Sequence, residues 1–156
     1  MLSLEDNELI MEPYIVKKVD RDIAVYIINW SNFRKADKYD IVATVPSVSG
    51  IFELYYQDKK KKLNLFLFSK VWYGGLKYEL RKFTDPEMEK DEKRRFLLEN
   101  CDCYYRYSIT QSYQDMCDIF YYYSRTYLPN TPPPPHSGRY NDIIVDERSK
   151  DKLVTI

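Results

Sequence analysis

The chain has 156 residues, enough for one domain that buries its own core without disulfide staples. Hydrophobic residues make up 44% and charged residues 31%, a globular balance that excludes an intrinsically disordered chain. Lys and Arg (24) equal Asp and Glu (24), so the molecule as a whole is not built as a polyanion binder, although its charges are unevenly placed.

Residues 1–12 form an acidic leader: Glu5, Asp6, Glu8 and Glu12 occur there with no Lys or Arg, unlike the basic start of a secretory signal. No run approaches the roughly 18 apolar residues that cross a bilayer, so no membrane partner is expected. Cys101, Cys103 and Cys117 cannot all pair within one chain, which favours free thiols and a cytoplasmic location. Three thiolates hold zinc only with a fourth ligand, and none lies near them in sequence, so buried free cysteines are expected.

In chain order, residues 14–19 and 23–30 read as strands around the turn signal Asp20-Arg21-Asp22. Residues 31–38 are polar and loop-like, and 39–45 form a strand candidate stopped by Pro46. Residues 50–57 and 63–72 flank Asp58-Lys59-Lys60-Lys61-Lys62. The second of these strands alternates, with Leu63, Leu65, Leu67 and Val71 on one face and Asn64, Phe66, Phe68, Lys70 and Trp72 on the other. This is an antiparallel hairpin, expected inside a sheet because both faces carry bulky groups.

Gly74-Gly75 breaks the strand, and residues 76–83 have helical spacing. A second helix is expected from Asp85, an N-cap followed by Pro86. Its Glu89–Lys93 and Asp91–Arg95 pairs read as a solvated face, with Phe96 and Leu97 as anchors. Residues 103–109 form a strand, and Ser112 caps a last helix with Met116, Phe120, Tyr123 and Tyr127 on one stripe beside Cys117. Residues 143–145 either add a strand or stay loose. The fold class expected is a single α+β domain over residues 13–130, a mainly antiparallel sheet with helices packed on it, followed by a proline-containing tail over 131–156. Pro132 to Pro135 suit polyproline II, either as a docking element with His136-Ser137-Gly138-Arg139-Tyr140 or as a spacer that folds back.

Between residues 58 and 83, Lys59, Lys60, Lys61, Lys62, Lys70, Lys77, Arg81 and Lys82 face only Asp58 and Glu79, about +6. Interleaved with Phe66, Phe68, Trp72, Tyr73 and Tyr78, they could track a phosphate backbone and stack bases, or simply solubilise a hairpin tip.

Gly50-Ile51-Phe52 followed by Tyr73-Gly74-Gly75 and the basic Leu80-Arg81-Lys82 resembles the GIY-YIG nuclease domain, over roughly residues 47–130. The resemblance implies phosphodiester cleavage with Mg or Mn, in which Tyr73, Arg81 and Asp118 would be catalytic and Asp118, or else Asp115, would stand in with shorter reach for the family's metal-binding Glu. The sequence departs from it at Phe52, which has no hydroxyl, and at Phe83, where the family's Arg would fall. Two readings therefore stand. One is a non-catalytic binding module, without cofactor, whose partner is a protein or a nucleic acid. The other is a GIY-YIG-type nuclease or a nucleic-acid-binding relic of one.

Overall fold

The computed structural model describes residues 12–149. The fold is α+β with mainly antiparallel pairing and helices packed on the sheets, as the element order implies. Its residues group into two compact units, 12–31 with 108–149, and 32–107.

In the first unit, β1 (Ile15–Asp20) pairs antiparallel with β2 (Ile23–Asn29). Arg21 takes the tight turn between them at φ 57°. β7 (Asp142–Arg148) adds to the other side of β2 in parallel, so the 143–145 segment is part of a sheet. Helix α4 (Tyr113–Tyr127) packs on β7, capped by the Ser112 hydroxyl, which accepts from Asp115 N–H at 3.1 Å. Its buried side is Met116, Ile119 and Tyr123 with Asp118 among them, a spacing of three and four residues. Relative to the expected stripe, Phe120 is half-buried and Tyr127 exposed, because the buried line runs through Ile119 instead. Trp30 closes this core and donates from Nε1 to Glu147 Oε1 at 2.7 Å.

In the second unit the sheet order is β3 (Arg34–Lys35), β6 (Cys103–Ile109), β4 (Gly50–Gln57), β5 (Leu63–Val71). The hairpin is as expected, but only β4 lies inside the sheet. β5 is an edge strand, half-buried on both faces until Val71. Helix α1 (Lys38–Thr44) replaces the strand expected over 39–45. The β-branched and aromatic residues there favour a strand locally. Asp37 overrides that preference by accepting from Asp40 N–H at 3.3 Å as an N-cap. Arg34 then grips Asp40 with two bonds of 2.6 and 2.8 Å, while Ile41 and Val45, four apart, turn to the core.

Helix α2 (Gly75–Thr84) follows the hairpin as expected. The next helix, α3 (Glu92–Asn100), starts six residues later than Asp85 as an N-cap suggests. Asp85 instead closes a turn, its Oδ1 accepting from Glu87 N–H at 2.9 Å, and Asp91 is the true N-cap. The turn delivers Glu89 into the interior, where Arg94 holds it at 3.1 and 3.2 Å and Arg95 donates to its carbonyl. Glu89 is thus a buried anchor and no member of a solvated face. Phe96 is 62% exposed and anchors nothing, and α3 buries no residue completely. Among the described residues no helix is long and apolar enough to cross a membrane.

Candidate functional site

The two glycines after β5 have a stereochemical reason. Gly74 and Gly75 both sit at φ +84°, the left-handed region that L side chains rarely adopt. A Cβ on Gly75 would lie 2.8 Å from the Ser47 carbonyl carbon, so only glycine lets α2 start against the 46–48 loop. That loop caps the helix with carbonyls: Leu76 N–H donates to Val48 O at 2.8 Å and Lys77 N–H to Pro46 O at 3.3 Å.

With α2 seated this way, Leu76 and Leu80 are buried and the opposite face carries Lys77, Tyr78, Arg81 and Lys82. Tyr73, just before the helix, is 85% exposed and Tyr78 56%. Lys82 Nζ stands 5.7 Å from the Tyr78 ring centre and 5.3 Å from that of Phe83, and also meets Glu79 at 3.3 Å. Cations and aromatic rings therefore share one surface, at the end of β5 that carries Lys70 and Trp72.

Lys59, Lys60, Lys61 and Lys62 are exposed at the far end of the hairpin. Asp58 builds that tip, its Oδ1 accepting from Lys60 and Lys62 N–H at 2.8 and 3.0 Å, with Lys61 at φ 66°. A strand rise of about 3.3 Å per residue separates this tip from Lys70 by roughly 25 Å. The basic segment read as one patch is thus two.

The residues of the GIY-YIG resemblance are also divided. Tyr73 and Arg81 lie in the second unit, Arg81 on the exposed face of α2. Phe52 is fully buried on β4 and its ring sits 6.0 Å from that of Phe83, so the two positions that depart from the resemblance touch each other. An apolar contact stands where a hydroxyl and a guanidinium would be required.

Asp118 belongs to the first unit and is fully buried. Its Oδ2 accepts from Tyr26 OH at 2.6 Å, Ser137 Oγ at 3.0 Å and Arg139 at 3.1 Å, and its Oδ1 from Ser137 N–H at 2.7 Å. Burial opposes ionisation of Asp118, but the bonds from Tyr26, Ser137 and Arg139 outweigh it and hold the carboxyl below its usual range. Burial and the bond to Asp118 raise the Tyr26 phenol far above its ordinary value. Asp115 extends the cluster to Lys17 at 3.1 Å and Arg139 at 2.8 Å. Through these bonds the chain after the proline run folds back onto α4, while Pro132, Pro133 and Pro135 stay exposed.

A family model described as "Uncharacterised protein" matches residues 14–156. The chain belongs to that family. No curated protein and no solved structure matches it. The family's description carries no activity, so the chemistry is read from the side chains.

One buried cluster in the second unit has no counterpart in the sequence reading. Glu53 Oε1 on β4 accepts from Arg106 Nε on β6 at 2.7 Å and from Tyr55 OH at 2.7 Å, and the Arg106 guanidinium lies 4.7 Å from the Phe33 ring centre. The signal available was a charged residue at an inward position of each of two apolar strands, which requires a buried partner. The cysteines are free, and burial raises the Cys103 thiol to about 12, which makes it an inert core residue. Among the described residues no three His, Cys, Asp or Glu side chains gather to hold a metal.

Proposed function

We propose that this family member is a non-catalytic nucleic-acid-binding module whose working surface is the outer face of α2 with Tyr73. The carrying observation is the exposure of Tyr73 and Tyr78 beside Lys77, Arg81 and Lys82. Lysine and arginine neutralise phosphates, and exposed rings offer stacking platforms worth about 1–3 kcal/mol per base. A kinship to GIY-YIG domains fits as a binding relic. The Phe52–Phe83 contact supports the absence of catalysis, as does Asp118, whose two oxygens already accept four hydrogen bonds. Three free thiols fit a reducing, cytoplasmic setting.

The test is fluorescence anisotropy with labelled single- and double-stranded DNA and RNA, at two salt concentrations, with Mg²⁺ present. Binding without cleavage is expected, weakening with salt, and Tyr73→Ala with Tyr78→Ala should weaken it by roughly tenfold or more. No binding at low salt would end the nucleic-acid reading. Mg²⁺-dependent cutting of the substrate would replace it with the nuclease one.

A further inference from the structure

A cleft of about 290 Å³ opens in the first unit between the last turns of α4, the start of β7 and the returning tail. Tyr121, Tyr122, Arg125 and Thr126 line it from the helix, two pairs of residues four apart and so on one side. The tail supplies His136, whose ring meets Tyr121 edge-on at 4.7 Å. His136 Nδ1 accepts from Gly138 N–H at 3.0 Å, which leaves Nε2 as the N–H donor of the neutral ring. Arg125 is exposed, and its guanidinium lies 5.6 Å from the Tyr121 ring centre. No carboxylate of the described residues engages it. Asp142, at the first residue of β7, lies on the lining as well.

We infer that this cleft binds a small phosphate ester that also carries hydroxyl groups. Arg125 and His136 Nε2–H supply donors for a phosphate, and a guanidinium presents them in the planar fork that phosphate oxygens match. Asp142 is an acceptor, so a bare anion is not the best fit. A ligand with an anionic end and hydroxyl donors satisfies both Arg125 and Asp142, and the Tyr121 and Tyr122 rings cover the apolar carbons between. The volume lies at the bottom of the range of about 300–1,000 Å³ usual for small-molecule sites, which limits the ligand to a small, polar one. This site is independent of the α2 surface.

The experiment is an NMR and calorimetric titration of the full chain with ribose 5-phosphate, ribose and inorganic phosphate. Ribose 5-phosphate should shift the Tyr121, Arg125 side-chain and His136 ring resonances and bind more tightly than inorganic phosphate, with ribose silent. Arg125→Ala should weaken the ester by roughly tenfold, and His136→Gln, which keeps an N–H donor, by less. Asp142→Asn should weaken the ester while leaving inorganic phosphate unchanged or tighter. Replacing Lys77, Arg81 and Lys82 should leave ester affinity unchanged, which separates this site from the nucleic-acid surface. Equal response to ribose and its ester overturns the assignment, as do unshifted resonances and an affinity that survives Arg125→Ala. Inorganic phosphate binding as tightly as the ester overturns it too, and leaves only an adventitious anion contact.

Discussion

Helices α2 and α4 both carry charged and aromatic residues at helical spacing, yet the carboxylates of α4 face its own unit while the cations of α2 face outward. Helix α4 turns Asp115 and Asp118 toward Lys17, Tyr26, Ser137 and Arg139 of its own unit. Helix α2 buries Leu76 and Leu80 and turns Lys77, Tyr78, Arg81 and Lys82 outward. A buried carboxylate whose acceptor sites are occupied holds a fold together. The rings and cations of α2 stay at the surface, which is where the proposed binding would take place.

The largest effect should come from breaking the α4 side. Asp118→Ala removes the buried acceptor of four hydrogen bonds and leaves Asp115 as the remaining carboxylate beside Tyr26 and Arg139, which should cost about 3–5 kcal/mol in urea denaturation. The folded variant should bind nucleic acid as the wild type does. Loss of both stability and binding together would show that the two helices are not separable in function. The same substitution is therefore a poor probe of nuclease chemistry, since lost cleavage would report lost structure. The pH dependence follows in sign. The folded-state pKa of Asp118 is lowered, so its contribution is fully present above the unfolded value of about 3.9 and disappears as pH falls through the lower folded value. Wild-type stability, followed by circular dichroism in urea, should therefore decline as pH falls below about 4, and part of that decline is the loss of the Asp118 contribution. Asp118→Asn should flatten the profile below about pH 4.

Next in size is the seat of α2. Gly75→Ala combines a left-handed φ with a 2.8 Å approach to Ser47 backbone, and should cost about 2–3 kcal/mol. Gly74→Ala shares the φ, but its new methyl would meet only the Tyr78 ring at 3.3 Å, so about 1 kcal/mol is expected. Thermal or urea melts of the pair check this. Equal losses would show that the 46–48 loop yields and that α2 is not fixed by it.

Much of this contrast was legible in the sequence, and the failures are instructive. The period of two over 63–72, the glycine pair, and Ser112 before an amphipathic run are local signals, and each led to the right element. Residues 39–45 misled because Tyr, Ile, Val and Thr favour strands, and a two-residue strand at Arg34–Lys35 had to supply the Arg34 grip on Asp40 that makes a helix better. Asp85-Pro86 misled because an N-cap and a turn look alike over three residues. What separates them is Glu89 going inward, which depends on Arg94 and Arg95. The basic-aromatic surface was legible in composition but not in extent, since strand length divides it. The partners of Asp118 lie up to 92 residues away in sequence, and no local pattern joins Tyr26 to it.

The smallest effect should come from the hairpin tip, and it sharpens the comparison most. Lys59, Lys60, Lys61 and Lys62 outnumber the α2 cations, so by charge count alone they would dominate phosphate binding. They lie roughly 25 Å from Lys70 along β5, about three Debye lengths at physiological salt, so their field does not reach the α2 surface. Asp58 stays ionised beneath them, its carboxyl lowered first by the bond from Asn64 and then by backbone bonds from Lys62 and Lys60, and offsets part of their charge. Replacing Lys77, Arg81 and Lys82 should therefore reduce the slope of log affinity against log salt by about 2, for three phosphate contacts to a single strand. Replacing the four tip lysines with glutamine should change that slope by less than about 1. A short oligonucleotide makes the test strict, because it cannot bridge the two ends of the hairpin. If the tip variant flattens the slope on a long strand but not on a short one, the nucleic acid runs along β5. In that case the edge strand joins the two basic clusters into one track.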